Sequence, residues 1–306
     1  MTRTKKTLNL YSRKKELSLT NSTYKKTITA FFNTQLKQDL GKGDITANAL
    51  IKTNKPAKAI ITAKESGVMA GLEEINFILK NKFKTKLLKK DGQNIKKGNK
   101  IIEIRGKIKD ILKYERTVLN ILQRMSGIAT TTNKLANKTK GKCFIVGTRK
   151  TNWPELDKKA IEIGGGLSHR LGLDDAILIK ENHLVGMDNN VEKALTLAKK
   201  SKKKVRFIEI EVKTETQAIK ATETMKKLKI NNGIIMLDNF SPNKIKSTIS
   251  KLKKNNLYNQ IIIEASGGIT PKNISKYANS GIDVISTGYI THSAKALDLS
   301  MLLFRE

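Results

Sequence analysis

Cysteine is almost absent. Cys143 is the single one among 306 residues, so no internal disulfide can form and a reducing, cytoplasmic setting is expected. Acidic side chains are scarce beside basic ones, 27 against 60, which leaves a formal net charge of +33. Aromatic residues make up 5%, too few to interleave with the lysines as base-stacking platforms. The three histidines lack metal-ligand spacing, and Cys143 has no partner, so an all-protein transition-metal site is not expected. No run of 18 apolar residues occurs, which excludes a helix that spans a membrane. Residues 1–26 carry Arg3, Lys5, Lys6, Arg13, Lys14, Lys15, Lys25 and Lys26 against Glu16, without the apolar stretch of a signal peptide. They read as a poorly ordered basic arm, dispensable for activity.

What is present is 38% hydrophobic, enough for a real core, in a length that suits one large domain or two moderate ones. The lysines run through every segment, as at Lys80–Lys90 and Lys199–Lys204, instead of forming one stripe. They read as solvated surface whose field draws anionic substrates, and no specific nucleic-acid partner is expected.

Thr27–Leu40 reads as a helix closed by Gly41 and Gly43. Strand-like runs follow at Ala57–Ala63, Thr85–Leu88 and Lys100–Arg105, with a helix at Leu72–Leu79. A long helical pattern covers Lys109 to about Asn137, with a break expected near Gly127. Beyond residue 140 the apolar runs Cys143–Val146, Ala176–Ile179, Val205–Val212, Gly233–Leu237, Gln260–Glu264 and Asp283–Ser286 alternate with amphipathic segments. Pro154, Thr214 with Gln217, Ser241-Pro242 and Thr270-Pro271 are helix-start signals. Repeated strand–helix units imply an α/β fold with parallel strands, as a barrel or an open sheet.

The unusual polar residues stand in or just after the apolar runs: Thr148, Arg149 and Lys150; Lys180; Glu209 and Glu211; Asp238 and Asn239; Ser266, Gly267 and Gly268; Thr287 and Gly288. The carboxyl ends of barrel strands are where active sites form. Arg149, Lys150, Arg170 and Lys180, with His169, make a cationic cluster that needs a multiply anionic ligand. Glu211 and Asp238 suit Mg²⁺ shared with substrate phosphates, although Glu209 lies on the same strand face and either glutamate could be the working acid. Ser266-Gly267-Gly268 and Gly288, close to a helix start at Thr270, offer a phosphate seat. A polycarboxylate site, a metal site and a phosphate seat together describe a nucleotide-forming transfer. Gly164–Gly166 reads as a helix stop, Trp153 as packing near a helix start, and His183 as a hydrogen-bonded structural histidine.

Nine segments carry a family resemblance: GKGDITANAL at 41–50, SGVMAG at 66–71, ERTVLNILQRMSGIAT at 115–130, GTRKT at 147–151, GGGLSHRLGLDDAILIKENHL at 164–184, IEIEV at 208–212, MLDN at 236–239, EASGGIT at 264–270 and STGYITHS at 286–293. Over residues 27–300 the sequence resembles quinolinate phosphoribosyltransferase, also called carboxylating nicotinate-nucleotide pyrophosphorylase. The resemblance implies an N-terminal α/β sandwich domain (27–127, joined by about 291–306) and a C-terminal open α/β barrel (128–290). It implies a homodimer, or a larger assembly of dimers, in which Arg116 enters the partner's site. Arg116, Arg149, His169, Arg170 and Lys180 would hold quinolinate, with Thr148 beside them and Lys150 between the two substrates. Glu211 and Asp238 would take the ribose and Mg²⁺ of phosphoribosyl pyrophosphate, with Lys150, Glu211 and Asp238 as the catalytic set. Ser266, Gly267, Gly268, Thr287, Gly288 and Tyr289 would hold its phosphates. Ser168, Tyr289 and Trp153 depart from the family's usual residues without removing a charge. A same-fold paralogue acting on another ring acid, of the molybdenum-transport-associated type, is the competing reading.

Overall fold

Helix starts follow the capping side chains. In the computed structural model, which describes residues 2–201 and 205–305, the helices are α1 (Arg3–Tyr11), α2 (Ser22–Leu40), α3 (Ile45–Leu50), α4 (Leu72–Leu79), α5 (Ile108–Thr139), α6 (Pro154–Ile163), α7 (Glu181–Val185), α8 (Val191–Lys200), α9 (Glu215–Lys227), α10 (Pro242–Lys254), α11 (Ile274–Ala278) and α12 (Tyr289–His292). Asn21 and Asp44 accept backbone N–H groups at the heads of α2 and α3, and Ser241 does so ahead of Pro242. Thr214 and Gln217 form the expected capping box on α9. Lysines fill the last turns of α8, α9 and α10, where they oppose the negative helix end and account for part of the basic excess. The lysines at 202–204 of the Lys199–Lys204 run lie outside the described residues.

The strands in chain order are β1 (Pro56–Ala63), β2 (Gly67–Val68), β3 (Lys84–Leu87), β4 (Asn94–Ile95), β5 (Lys100–Lys107), β6 (Phe144–Gly147), β7 (Ile177–Ile179), β8 (Ile208–Val212), β9 (Gly233–Asp238), β10 (Ile261–Ser266), β11 (Val284–Thr287) and β12 (Leu299–Arg305). The chain divides into two compact units. One gathers Arg13–Asn133, Asn152–Gly165 and the segment from Ser293 onward; the other gathers the segment up to Ser12, Lys134–Thr151 and Gly166–His292.

The first unit is built on an antiparallel sheet in the order β12-β1-β5-β3. Burial alternates along β1, as one covered face requires. Phe32 of α2 and Phe83 pack on Tyr114 of α5, with ring centroids 5.8 and 5.3 Å apart. Helix α5 runs unbroken through Gly127, contrary to the expected break. That glycine serves a close approach instead: a Cβ there would stand 2.1 Å from the Lys295 carbonyl oxygen. Trp153 packs on Phe31, and Gly164 caps α6, where a Cβ would strike the Ala129 carbonyl.

The second unit holds a parallel sheet in the order β6-β11-β10-β9-β8-β7. Strands β9, β10 and β11 are buried almost end to end, the mark of a sheet covered on both faces. Val146, Ala176, Phe207, Ile234, Ile262 and Val284, taken from or just before all six strands, meet in one cluster. A flat sheet could not bring its two edges together in this way, so the sheet is curled into a barrel. Among the described residues no ladder joins β6 to β7, which leaves the barrel open there; Leu167 bridges to Val146 at that edge.

The basic arm expected over residues 1–26 is corrected by the structure. Arg3–Tyr11 forms α1, which belongs to the barrel unit, and Leu10 and Tyr11 are members of its core cluster. The physical reason is the apolar pair Leu10 and Tyr11 at the end of α1, which the surrounding charges obscured. Deleting residues 1–26 would remove Leu10 and Tyr11 from the core, which argues against their being dispensable.

In the first unit, Tyr24 donates its hydroxyl to Glu74 at 3.0 Å, and Asp91 caps α4 through the Leu72 and Glu73 N–H groups. Burial, with Asp91 nearby, pushes the Glu74 carboxyl from 4.5 up to about 7. A raised folded-state pKa means that the native state holds a proton the unfolded chain has lost. Stability from this group is therefore full below pH 4.5 and is lost as the pH rises to about 7. Glu74→Gln keeps an acceptor for Tyr24 and is expected to remove about 2–3 kcal/mol of that loss. Thermal melts from pH 5 to 8 check this; parallel curves for the two proteins would contradict it.

Candidate active site

The carboxyl ends of the barrel strands surround a cavity of about 780 Å³. Thr148, Arg149 and Lys150 reach it after β6, His169 and Arg170 from the loop before β7, and Lys180 directly after β7. Glu211 of β8 and Asp238 of β9 face them, while Ser266 at the end of β10 with Gly267 and Gly268 after it, and Thr287 at the end of β11 with Gly288 and Tyr289 after it, complete the wall. The strand-end residues singled out in the sequence, Glu209 excepted, thus converge on one mouth. Arg116 does not join them: it is an exposed residue of α5, in the other unit.

Arg149 and Arg170 line the same cavity, and burial together with the Arg149 charge lowers the pKa of Arg170. The Lys150 backbone is fixed from two sides: its N–H donates to Thr148 Oγ1 at 3.1 Å, and its carbonyl accepts the Thr291 hydroxyl at 2.6 Å. Its side chain passes over Gly288, where a Cβ would come within 3.3 Å of Lys150 Cδ. Lys180 Nζ donates to Glu211 Oε2 at 3.0 Å. His183 is structural as read, since its Nδ1 accepts the Lys180 N–H at 2.9 Å.

The two glutamates of β8 separate by depth. Glu211 lines the mouth; Glu209 lies below it, fully buried. Of these two, Glu211 is the one that faces the cavity. Asp238 is held on both oxygens, by Ser266 Oγ at 2.9 Å and by Asn239 Nδ2 at 2.8 Å. Asn239 itself sits at φ +56, and its N–H donates to the Ser266 carbonyl.

Gly267 and Gly268 follow at φ +90 and +60, a left-handed pair whose N–H groups make no hydrogen bond among the described residues. Two such N–H groups in succession form an anion cradle. Only glycine fits the first position, because a Cβ would lie 2.2 Å from Asn239 Oδ1. Thr270-Pro271 does not open a helix, as the sequence suggested; α11 begins at Ile274. Asn273 Oδ1 accepts the Thr270 N–H and its Nδ2 donates to the Gly268 carbonyl, so these bonds close a turn over the sequence where a helix was expected. The Gly267–Gly268 cradle is accordingly part of a loop and does not lie at a helix end. The Thr287 hydroxyl donates to the Ile269 carbonyl at 2.8 Å and so braces that loop.

His169 also differs from a plain ligand-binding residue. Its ring packs edge-on against Tyr11 and Phe207, at centroid distances of 5.2 and 5.4 Å, while those two rings stack on each other. Its Nδ1 accepts the Arg170 N–H at 2.7 Å, so the ring proton sits on Nε2, facing Glu209 at 3.3 Å and Glu264 at 3.5 Å. Burial disfavours a second ring proton, while Glu264 and Glu209 favour it, for a net rise to about 9. That proton would stand against the Arg170 N–H, so the hydrogen-bond geometry decides for a neutral ring. Burial, with the Glu264 carboxylate nearby, pushes the Glu209 carboxyl above the usual carboxylate range. His169, Glu209 and Glu264 have the composition of a metal-ligand set, but Nε2 presents them a hydrogen and not a lone pair.

Sequence reasoning missed Thr291, His292 and Tyr11. The first two sit inside STGYITHS, but only the short α12 turns them back toward Lys150 and Gly288. Cys143, by contrast, is an inert core thiol, pushed by burial up to about 12.

Comparison with known proteins bears on this arrangement. Residues 44–126 match the profile described as quinolinate phosphoribosyl transferase, N-terminal domain, and residues 128–302 match its C-terminal domain. The chain belongs to the quinolinate phosphoribosyltransferase family. It is 40% identical over 265 residues to a probable carboxylating nicotinate-nucleotide pyrophosphorylase of Archaeoglobus fulgidus, covering 85% of this chain and 97% of that one. To the probable enzyme of the same name in Bacillus subtilis it is 36% identical, over 86% and 89% of the two chains. The nicotinate-nucleotide pyrophosphorylase structure from Francisella tularensis superposes with a TM-score of 0.81 at 33% identity, over 92% and 97%. Human nicotinic acid phosphoribosyltransferase shares the fold at 10% identity and a TM-score of 0.54, so the fold by itself does not choose the ring acid.

Proposed function

We propose that this protein transfers the phosphoribosyl group of phosphoribosyl pyrophosphate to quinolinate, giving nicotinate mononucleotide, pyrophosphate and CO₂, a step of NAD biosynthesis. The observation that carries the reading is the convergence of Arg149, Lys150, Arg170 and Lys180 on one cavity, opposite Glu211, Asp238 and the glycine cradle. Such a density of positive charge favours a ring with two carboxylates over a ring with one. Family membership and the names of its relatives support the same substrates. No helix among the described residues is long and apolar enough to cross a membrane, and the lone buried thiol fits a cytoplasmic enzyme.

Arg149 and Arg170 hold the carboxylates of quinolinate, with Lys180 freed from Glu211 to join them. His169 acts by holding Arg170. Lys150, braced by Thr291, lies between the ring acid and the leaving pyrophosphate. Gly267 and Gly268 offer their N–H groups to phosphate oxygens, on a loop that Ser266 and Thr287 steady. As pyrophosphate leaves the anomeric carbon, the ribose becomes oxocarbenium-like and the ring nitrogen attacks that carbon. The nitrogen then carries the positive charge that stabilises the carbanion left as the adjacent carboxylate departs as CO₂; the carbanion takes up a proton.

Glu211 and Asp238 fit Mg²⁺: both are hard carboxylates that open on the cavity. Each also serves a protein partner, so an ion there would draw most of its ligands from phosphates and water. When bound, the ion neutralises charge developing on pyrophosphate.

We also propose that the working unit is a dimer or an assembly of dimers, with Arg116 supplied by the partner subunit. The exposure of Arg116 on the unit that does not form the cavity supports this.

A preorganised cation of this kind is worth about 2.7–4 kcal/mol, so Arg149→Ala is expected to lower turnover roughly 10²–10³-fold at saturating substrates. Near-wild-type turnover would remove Arg149 from catalysis. Arg116→Ala and Arg149→Ala are each expected to be nearly inactive alone. After mixing and subunit exchange, half the dimers carry one of each chain and one intact site, so about a quarter of wild-type activity returns. No recovery in exchanged subunits would place each site within one chain.

A further inference from the structure

We infer that α1 closes the foot of the barrel, and that Tyr11 is a positioning residue of the active site that acts through Glu264 and His169 on Arg170. The inference rests on the function proposed above for its kinetic consequence, though not for its structural one.

Helix α1 is fastened to the amino ends of the strands, opposite the mouth. The Arg3 guanidinium pairs with both oxygens of Asp283, just before β11, and donates to the Tyr258 carbonyl at 2.8 Å. Lys6 Nζ donates to the Gln260 carbonyl just before β10. Arg206, before β8, donates to the carbonyls of Asn9 and Ser12 at 3.3 and 3.1 Å. These bonds deliver Tyr11 into the barrel axis, fully buried.

A phenylalanine would fill the same volume, so the hydroxyl has a separate task. It donates to Glu264 Oε2 at 2.7 Å, the oxygen that faces His169 Nε2. The cluster is short of donors: both oxygens of Glu209 and Oε1 of Glu264 have no hydrogen-bond partner among the described residues. The Tyr11 hydroxyl thus satisfies the carboxylate that would otherwise draw the imidazole N–H toward itself. Tyr11 also grips the other side of the histidine, since its carbonyl accepts the His169 N–H at 3.1 Å. His169 stands at φ +60, which a non-glycine residue holds only where its surroundings impose it. The next link is the 2.7 Å bond from the Arg170 N–H to His169 Nδ1. Arg170 then lines the substrate cavity. A residue about 160 positions away in sequence, at the closed end of the barrel, therefore sets the aim of a cation at the open end.

Tyr11→Phe tests this because it keeps the ring and removes only the hydroxyl. The expected result is a KM for quinolinate raised roughly tenfold or more, with kcat and the KM for phosphoribosyl pyrophosphate changed by about twofold or less. Arg3→Ala, which loosens α1 at its far end without touching Tyr11, should raise the quinolinate KM in the same direction by a smaller factor. A filler role for Tyr11 would lower the melting temperature and leave the quinolinate KM alone; that outcome in folded Tyr11→Phe overturns the inference. An inactive wild-type enzyme would sink the proposed function instead. For that case the ring-nitrogen NMR shifts of His169, one of three histidines, read the linkage without turnover. Tyr11→Phe should move them, and unchanged shifts overturn the inference.

Discussion

Mutual repulsion among cations is the constraint around which this molecule is arranged. Arg149, Lys150, Arg170 and Lys180 are brought to one mouth by strands whose buried residues are mostly hydrocarbon. Charges packed so closely raise one another's energy; burial first and the Arg149 charge second lower the pKa of Arg170. Such an arrangement persists only if the scaffold holds it and if an anion repays it on binding. The protein's own acids offset part of it: Glu211 takes Lys180, and Asp238 is aimed from the other wall. The remainder is left for substrate, which makes the site selective for ligands of high negative charge.

Holding those charges still is a task for the layers beneath. The mouth rests on buried strands, the strands on a core cluster, and the cluster on α1, which fills the axis from below. Between core and mouth lies a buried polar layer of Tyr11, Glu264, His169 and Glu209. Buried polar groups with few donors are costly, and they are retained here where they can transmit a fixed orientation to the cation above them. The left-handed residues His169, Asn239, Gly267 and Gly268 mark the same need, since each is at a turn where backbone or side chain must point at the cavity.

Much of this was legible in the sequence because parallel strands advertise themselves. Six apolar runs, each ending in charge or glycine, placed Thr148, Arg149, Lys150, Lys180, Asp238 and Gly267 correctly at strand ends. The strand period put Glu209 and Glu211 on one face but could not say which lay deeper; depth is set by how far each strand runs, which period alone does not reveal. Thr270-Pro271 carried a helix-start signal that lost to the turn closed by Asn273. Gly127 suggested a break, yet its missing side chain serves the passage of Lys295. The largest misreading was the basic arm. Local composition argued for solvent, while Leu10 and Tyr11 found partners some 250 residues away, and no window along the chain can see such contacts.

The claim at the centre of this account is that the cation cluster is matched to a ring with two carboxylates. Steady-state turnover of purified protein with quinolinate and with nicotinate, following pyrophosphate and CO₂ together in the presence of Mg²⁺, tests it most directly. The account predicts turnover with quinolinate, one CO₂ released for each pyrophosphate, and little turnover with nicotinate. Preference for nicotinate, or pyrophosphate release without matching CO₂, would contradict it.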